Sequence, residues 1–228
     1  MRWRFWPVVL VAILSFAGAS IAAFISARAF SIPIAHLDQL TPAQIAILTV
    51  AQDLTLALVL VGLLRVWPKV RLRELGVGRP IAARTGVIAG AALWLLSIMV
   101  ANAQAALVGS HPQSLVLAAQ SHRSVEGLIV DVVLGGALVG VVEELFFRAM
   151  LFTLLRQRLP FAAAAVSSSV IFALVHEMAA WIPVFALGMG LAYLYERRHS
   201  LWTNALAHGT VNALSFVTLF VLPLTTPS

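Results

Sequence analysis

The sequence predicts an all-α fold, a polytopic transmembrane helical bundle of about seven helices. Of the 228 residues, 61% are hydrophobic and only 24 carry a formal charge, under half the share of about 25% usual in soluble domains. Mean hydropathy is +0.97. The apolar residues also fall in continuous runs near the ~20 residues that cross a bilayer, not in the alternation of a transmembrane barrel.

The first run, 7–27, follows Arg2 and Arg4. Small residues at Ala17, Ala19 and Ala22 would suit signal cleavage, but apolar character continues through Phe24 and Ile25, so an uncleaved helix is expected. Beyond Pro33 the second run, 43–64, lies between Pro42 and Pro68, and the third, 85–108, between Pro80 and Pro112. The fourth, 127–154, stops before Pro160 and the fifth covers 161–178. The sixth, 182–195, is short for a crossing, which predicts a broken or tilted helix with Pro183 in its first turn. The last run is 201–222.

The basic residues set the expected orientation. With the N-terminus in the cytoplasm, twelve of the fifteen Lys and Arg fall in inner segments, Arg28 and Arg123 lie outside, and Arg148 stands within a helix. That bias predicts an integral protein of the plasma (inner) membrane with a cytoplasmic N-terminus. The inner loop 65–75 alternates basic and apolar residues, as expected of a segment resting on anionic headgroups. Net charge is +6, but the basic residues form short clusters between apolar runs, so no nucleic-acid partner is expected. Cysteine is absent, which excludes a disulfide framework, a thiolate metal site and a cysteine nucleophile.

Ionisable side chains in hydrocarbon are costly and mark functional candidates. Here they are Asp53, Asp131, Glu143, Glu144, Arg148, His176, Glu177 and His208, with Asn212 as a neutral companion. Glu144 and Arg148 stand at i and i+4 and share a helix face. Glu143 is turned about 100° from them and lacks a charge partner on its own helix. Phe172 precedes His176 by four residues, and His208 precedes Asn212 by four. Counted from the nearest inner arginine, Glu143, His176 and His208 lie about 20, 27 and 15 Å deep. Their convergence requires tilt, or part of 159–164 outside the membrane.

A carboxylate, two imidazoles and an amide suffice for peptide hydrolysis. Glu143 would take a proton from water with His176 helping to hold it, while His208 and Asn212 stabilise the oxyanion. Ser167, Ser168 and Ser169 lack a nucleophile-elbow context and are assigned to helix packing. Glu143, His176 and His208 also resemble a zinc ligand set, so a divalent metal is an alternative, although no His-Glu-x-x-His is present.

Glu143-Glu144-x-x-x-Arg148, then Phe172-x-x-x-His176, then His208-x-x-x-Asn212, spaced 33 and 32 residues from Glu143 to His176 to His208, resemble the three motifs of the CAAX-processing and bacteriocin-processing (CPBP, Abi-type) intramembrane protease family. All three match without substitution. The resemblance covers roughly 127–216, with Leu72-Arg73-Glu74-Leu75-Gly76 similar to the basic segment often found ahead of the catalytic part. It implies a glutamic endopeptidase, once classed as a metalloprotease, acting on membrane-associated protein or peptide substrates with no cofactor required. Glu143 and His176 would activate water, His208 and Asn212 would form the oxyanion hole, and Glu144, Arg148 and Phe172 would support them. Bacteriocin maturation or immunity, or processing of a membrane-anchoring tail, is a more natural setting than a prenylated substrate.

The chain then divides into N-terminal membrane helices with a basic cytoplasmic loop, 1–84, and a membrane-embedded catalytic helical core, 85–228, within one bundle. Two other classes remain open from sequence: a non-catalytic immunity or scaffold protein of the same fold, and a small carrier using Asp53 and Asp131 on a polar pathway. No inverted repeat supports the carrier.

Overall fold

A computed structural model describes residues 3–109 and 113–222. Arg2, Pro112 and the residues after 222 lie outside the described residues. The described residues form α1 (Phe5–Ala29), α2 (Pro42–Val66), α3 (Ala83–Val108), α4 (Ser114–Ser121), α5 (Val125–Arg156), α6 (Phe161–Leu174), α7 (Trp181–Arg198) and α8 (Leu201–Val221). No strand occurs among them. Six of these helices are long and apolar enough to cross a membrane, and large apolar side chains such as Leu58, Met99 and Ile182 stand exposed on their outer faces. In lipid that is the favourable arrangement, and the chain is an integral membrane protein with a polytopic helical fold.

Local chemistry starts the helices where the runs begin. Thr41 and Gln44 form a reciprocal capping box at α2, with Pro42 in the first helical turn. Ser124 caps α5 through Gly127 N–H at 2.9 Å, and Ser200 caps α8 through Thr203 N–H at 3.3 Å. Pro183 sits in the first turn of α7, where its missing N–H has no helical partner to lose.

Two expectations change. The short apolar helix is α6, with 14 residues, while α7 has 18. The run expected over 161–178 leaves the helix after Leu174, so His176 stands in a turn and not one helical turn beyond Phe172 on the same helix. The cause is local: the His176 Nδ1–H donates to the Phe172 carbonyl over 2.8 Å, serving a backbone oxygen that the ended helix leaves free. Starting at Phe161 and stopping at Leu174, α6 rises about 20 Å. That brings the turn level with Glu143, which residues 157–160 achieve by lying outside any helix.

The basic loop after α2 also differs from a segment lying only on headgroups. Arg65, Lys69, Arg71 and Arg73 are exposed, but Val70 and Leu75 are buried in the main apolar core. The loop docks on the start of α8 through Trp202 Nε1–H to the Val77 carbonyl at 2.9 Å, the Ala82 N–H to Thr203 Oγ1 at 2.9 Å and Leu201 N–H to the Gly76 carbonyl at 3.3 Å. Gly76 makes this contact possible, since its φ is +73° and a Cβ there would lie 2.7 Å from the His199 carbonyl oxygen.

The main core joins α1 and α2 to α5, α6, α7 and α8. A line of edge-to-face rings runs through it, Phe16 to Phe146 to Phe147 to Phe172, with centroids 4.8, 5.0 and 4.8 Å apart. Within α5, residues Asp131–Val139 and Leu145–Phe152 widen to π geometry on either side of Gly140–Glu144. α5 crosses α8 at glycines: a Cβ on Gly209 would lie 2.6 Å from the Gly136 carbonyl oxygen. This close approach sets His208 beside the two glutamates.

Candidate active site

The two adjacent glutamates have opposite environments. Glu144 is fully buried and its carboxylate meets three donors: Arg148 Nη1 at 2.8 Å, His208 Nδ1 at 2.9 Å and Asn204 Nδ2 at 2.7 Å. Its charge is matched by Arg148 one turn along, a fully buried ion pair. Arg148 also donates to the Gly188 carbonyl at 3.4 Å and lies 4.3 Å above the Phe172 ring. The cation over an aromatic face adds attraction in a desolvated setting.

Glu143 points elsewhere, as its 100° rotation predicts, and keeps 19% of its side chain exposed. One carboxylate oxygen is 3.9 Å from His176 Nε2 and the other 3.6 Å from His208 Nε2. Both separations are too long for direct hydrogen bonds and suit a bridging water. The far nitrogens fix the rings. The Phe172 carbonyl and the Glu144 carboxylate can only accept, so each Nδ1 carries a proton and each Nε2 is the ring nitrogen turned toward Glu143. Phe172 packs between them, 4.8 Å from the His176 ring and 5.9 Å from the His208 ring.

Six of the seven expected residues, Glu143, Glu144, Arg148, Phe172, His176 and His208, thus form one contiguous group. Asn212 is not hydrogen-bonded, among the described residues, to any of these six: its Nδ2 donates to the Gly135 carbonyl in the first π segment at 2.8 Å. Among the described residues, no three His, Cys, Asp or Glu side chains are grouped to hold a metal ion. The zinc reading of Glu143, His176 and His208 therefore gains nothing from the geometry.

Sequence reasoning missed Asn204, which donates to Glu144 and to the Leu191 carbonyl at 2.9 Å. The signal was there: Asn204, His208 and Asn212 repeat every four residues on one face of an apolar helix. Asp53 of α2 is buried, and its carboxyl lies within electrostatic reach of Glu143. Asp131 lies apart, in a recess with His122, Arg123 and Ser124. Of the α6 serines, Ser169 packs against Gly188 of α7, while Ser168 is buried and donates within its own helix to the Ala165 carbonyl.

A membrane-embedded helical bundle holding a half-buried glutamate between two oriented histidines is the class of protein that this fold and site define. Residues 125–214 match the family model described as "Type II CAAX prenyl endopeptidase Rce1-like", so the resemblance carried by the three motifs is supported over that segment by an independent comparison. The chain is also similar to a Bacillus subtilis (strain 168) protein named "Putative membrane peptidase YdiL", at 34% identity over 83 residues, 36% of this chain and 33% of that protein. A Lactococcus lactis subsp. lactis (strain IL1403) protein named "UPF0177 protein YxdF" is 33% identical over 79 residues, 34% of this chain and 43% of its own length. The matched stretches thus span less than half of either relative. No solved structure matches.

Proposed function

We propose that the chain is an intramembrane endopeptidase that hydrolyses a peptide bond of a membrane-associated protein or peptide with a water activated by Glu143. The observation that carries this reading is the placement of Glu143 between the Nε2 atoms of His176 and His208, 3.9 and 3.6 Å away. The family match and the peptidase name of one relative support it.

In this mechanism a water sits against Glu143 and His176. Glu143 takes its proton, and the oxygen adds to the scissile carbonyl carbon while the C=O π electrons move onto the oxygen. His208 stabilises that oxyanion only with Nε2 protonated, since its Nδ1–H is committed to Glu144. The second amide hydrogen of Asn212 is the other donor, the first being held by Gly135. The proton on Glu143 then passes to the leaving nitrogen as the C–N bond breaks. Glu144 holds His208 in one tautomer, and Arg148 and Phe172 fix Glu144 and the rings. None of these steps draws on a metal. The proposed setting is the plasma membrane with a cytoplasmic N-terminus, residues 1–84 serving as support for the core 85–228.

The test compares new protein termini in membranes from cells expressing wild type or Glu143→Gln at matched levels. Specific termini that vanish with the variant support the protease and name its substrates. Identical profiles under conditions where the protein is needed favour the scaffold or immunity reading instead.

A further inference from the structure

The turn that carries His176 is held by residues outside the constellation just described. Trp181 Nε1–H donates to the His176 carbonyl at 2.9 Å, and Gln104 of α3 donates to the Ala179 carbonyl at 2.8 Å. Glu177, the residue after His176, reaches across to the start of α4. There the Ser114 backbone N–H donates to both carboxylate oxygens, at 3.0 and 3.1 Å, and the Ser114 hydroxyl to one of them at 3.3 Å.

This contact has a physical basis on both sides. Ser114 is the first helical residue of α4, whose N–H has no partner within the helix. A carboxylate at that end is favoured by the helix dipole and by charge-assisted hydrogen bonding. Glu177 has no ion-pair partner among the described residues, so α4 is what holds it. His176 has left the regular ladder of α6, its N–H bonding the Ala173 carbonyl at 3.0 Å, so the turn after it depends on such tertiary holds.

We infer that Glu177 is a positioning residue, which by clamping the first turn of α4 fixes the turn from which His176 presents Nε2 to Glu143. The inference rests on the reading of His176 as a catalytic group. It makes α4, a segment outside the family-matched stretch, part of the site's support. Displacing a catalytic group by about 1 Å costs up to ~100-fold in rate, so a clamp of this kind has a measurable effect.

The test uses the full chain in membranes with Glu177→Ala, Glu177→Gln and Ser114→Pro. Proline suits the first helical position, and Gln113 already has the extended conformation, φ −67° and ψ 149°, that precedes proline. Ser114→Pro therefore removes the donor while keeping α4. The readouts are the rate at which Glu143-dependent termini appear and the ring ¹⁵N spectrum of His176 in histidine-labelled protein.

E177A and S114P are each expected to slow the reaction about tenfold. The double variant should be no slower than either single, because both remove one contact. E177Q, which keeps an acceptor oxygen, should recover most of the rate. The His176 spectrum should pass from one Nδ1–H tautomer to a mixture in E177A and S114P, with the His208 spectrum unchanged. Wild-type rates and spectra in both single variants, additive losses, or loss of the His208 signature as well would each overturn the inference. If wild type makes no Glu143-dependent termini, the protease reading falls, and the His176 spectra alone decide whether Glu177 positions the ring.

Discussion

His208 Nδ1 lies 2.9 Å from Glu144 Oε1, so the fully buried glutamate, not the half-buried one beside it, decides how this imidazole faces the site. Glu144 can do this because Arg148 on Oε1 and Asn204 on Oε2 hold both of its carboxylate oxygens in place. Two neighbours in sequence are thereby divided between holding a ring and facing its free nitrogen.

The adjacent glutamates should respond oppositely to the same change. Glu144→Ala leaves Arg148 buried without its counter-charge and is expected to destabilise by about 3–5 kcal/mol. Glu143→Gln, half-buried and with no direct hydrogen bond, should stay within about 1 kcal/mol of wild type while abolishing cleavage. Unfolding by denaturant in detergent micelles, run beside the terminus assay, separates the two effects. Equal stability of the two variants would contradict this division.

Arg148→Lys keeps the charge but loses the planar group above Phe172 and the bond to Gly188. We expect a loss of about 1–2 kcal/mol, the scale of a desolvated cation–π contact with a hydrogen bond. A thermal shift indistinguishable from wild type would show that charge alone suffices.

Asn204→Ala removes the donor to both Glu144 Oε2 and the Leu191 carbonyl. Leaving buried acceptors unserved costs about 1–3 kcal/mol. Asn204→Asp should cost more, because it sets a second carboxylate against Glu144. The order Asn, Ala, Asp in melting temperature checks the claim.

The helix crossing is asymmetric, and alanine should reveal it. A Cβ on Gly209 lies 2.6 Å from the Gly136 backbone oxygen, whereas one on Gly136 meets nothing nearer than 3.4 Å. Gly209→Ala must push α8 from α5, costing about 1–3 kcal/mol and drawing His208 from Glu143. Gly136→Ala should leave stability and cleavage near wild type. Comparable losses in both variants would show that the crossing is not held at this spacing.

Much of the bundle was legible because hydrocarbon imposes a simple rule: each span needs a long apolar run, and runs of that length stand out. The seven expected runs and the helices α1, α2, α3, α5, α6, α7 and α8 agree to within a few residues at most ends. The exception at His176 was not legible, since the sequence around Phe172 to His176 is as apolar and helix-compatible as the rest of α6. Its helix ends through a side chain bonding its own backbone, and periodicity does not register such a contact.

The sequence by itself determined which polar groups enter the membrane and which share a helix face, because 3.6 residues per turn link Glu144 to Arg148 and turn Glu143 aside. Only the tertiary structure decided their partners. The distance from Glu143 to each histidine depends on where α6 stops and how closely α8 crosses α5, and the Asn204 bond to Glu144 and the Asn212 bond to Gly135 depend on the same crossing. Those contacts join residues tens of positions apart, and backbone proximity at Gly136 and Gly209 sets them where no local rule reaches.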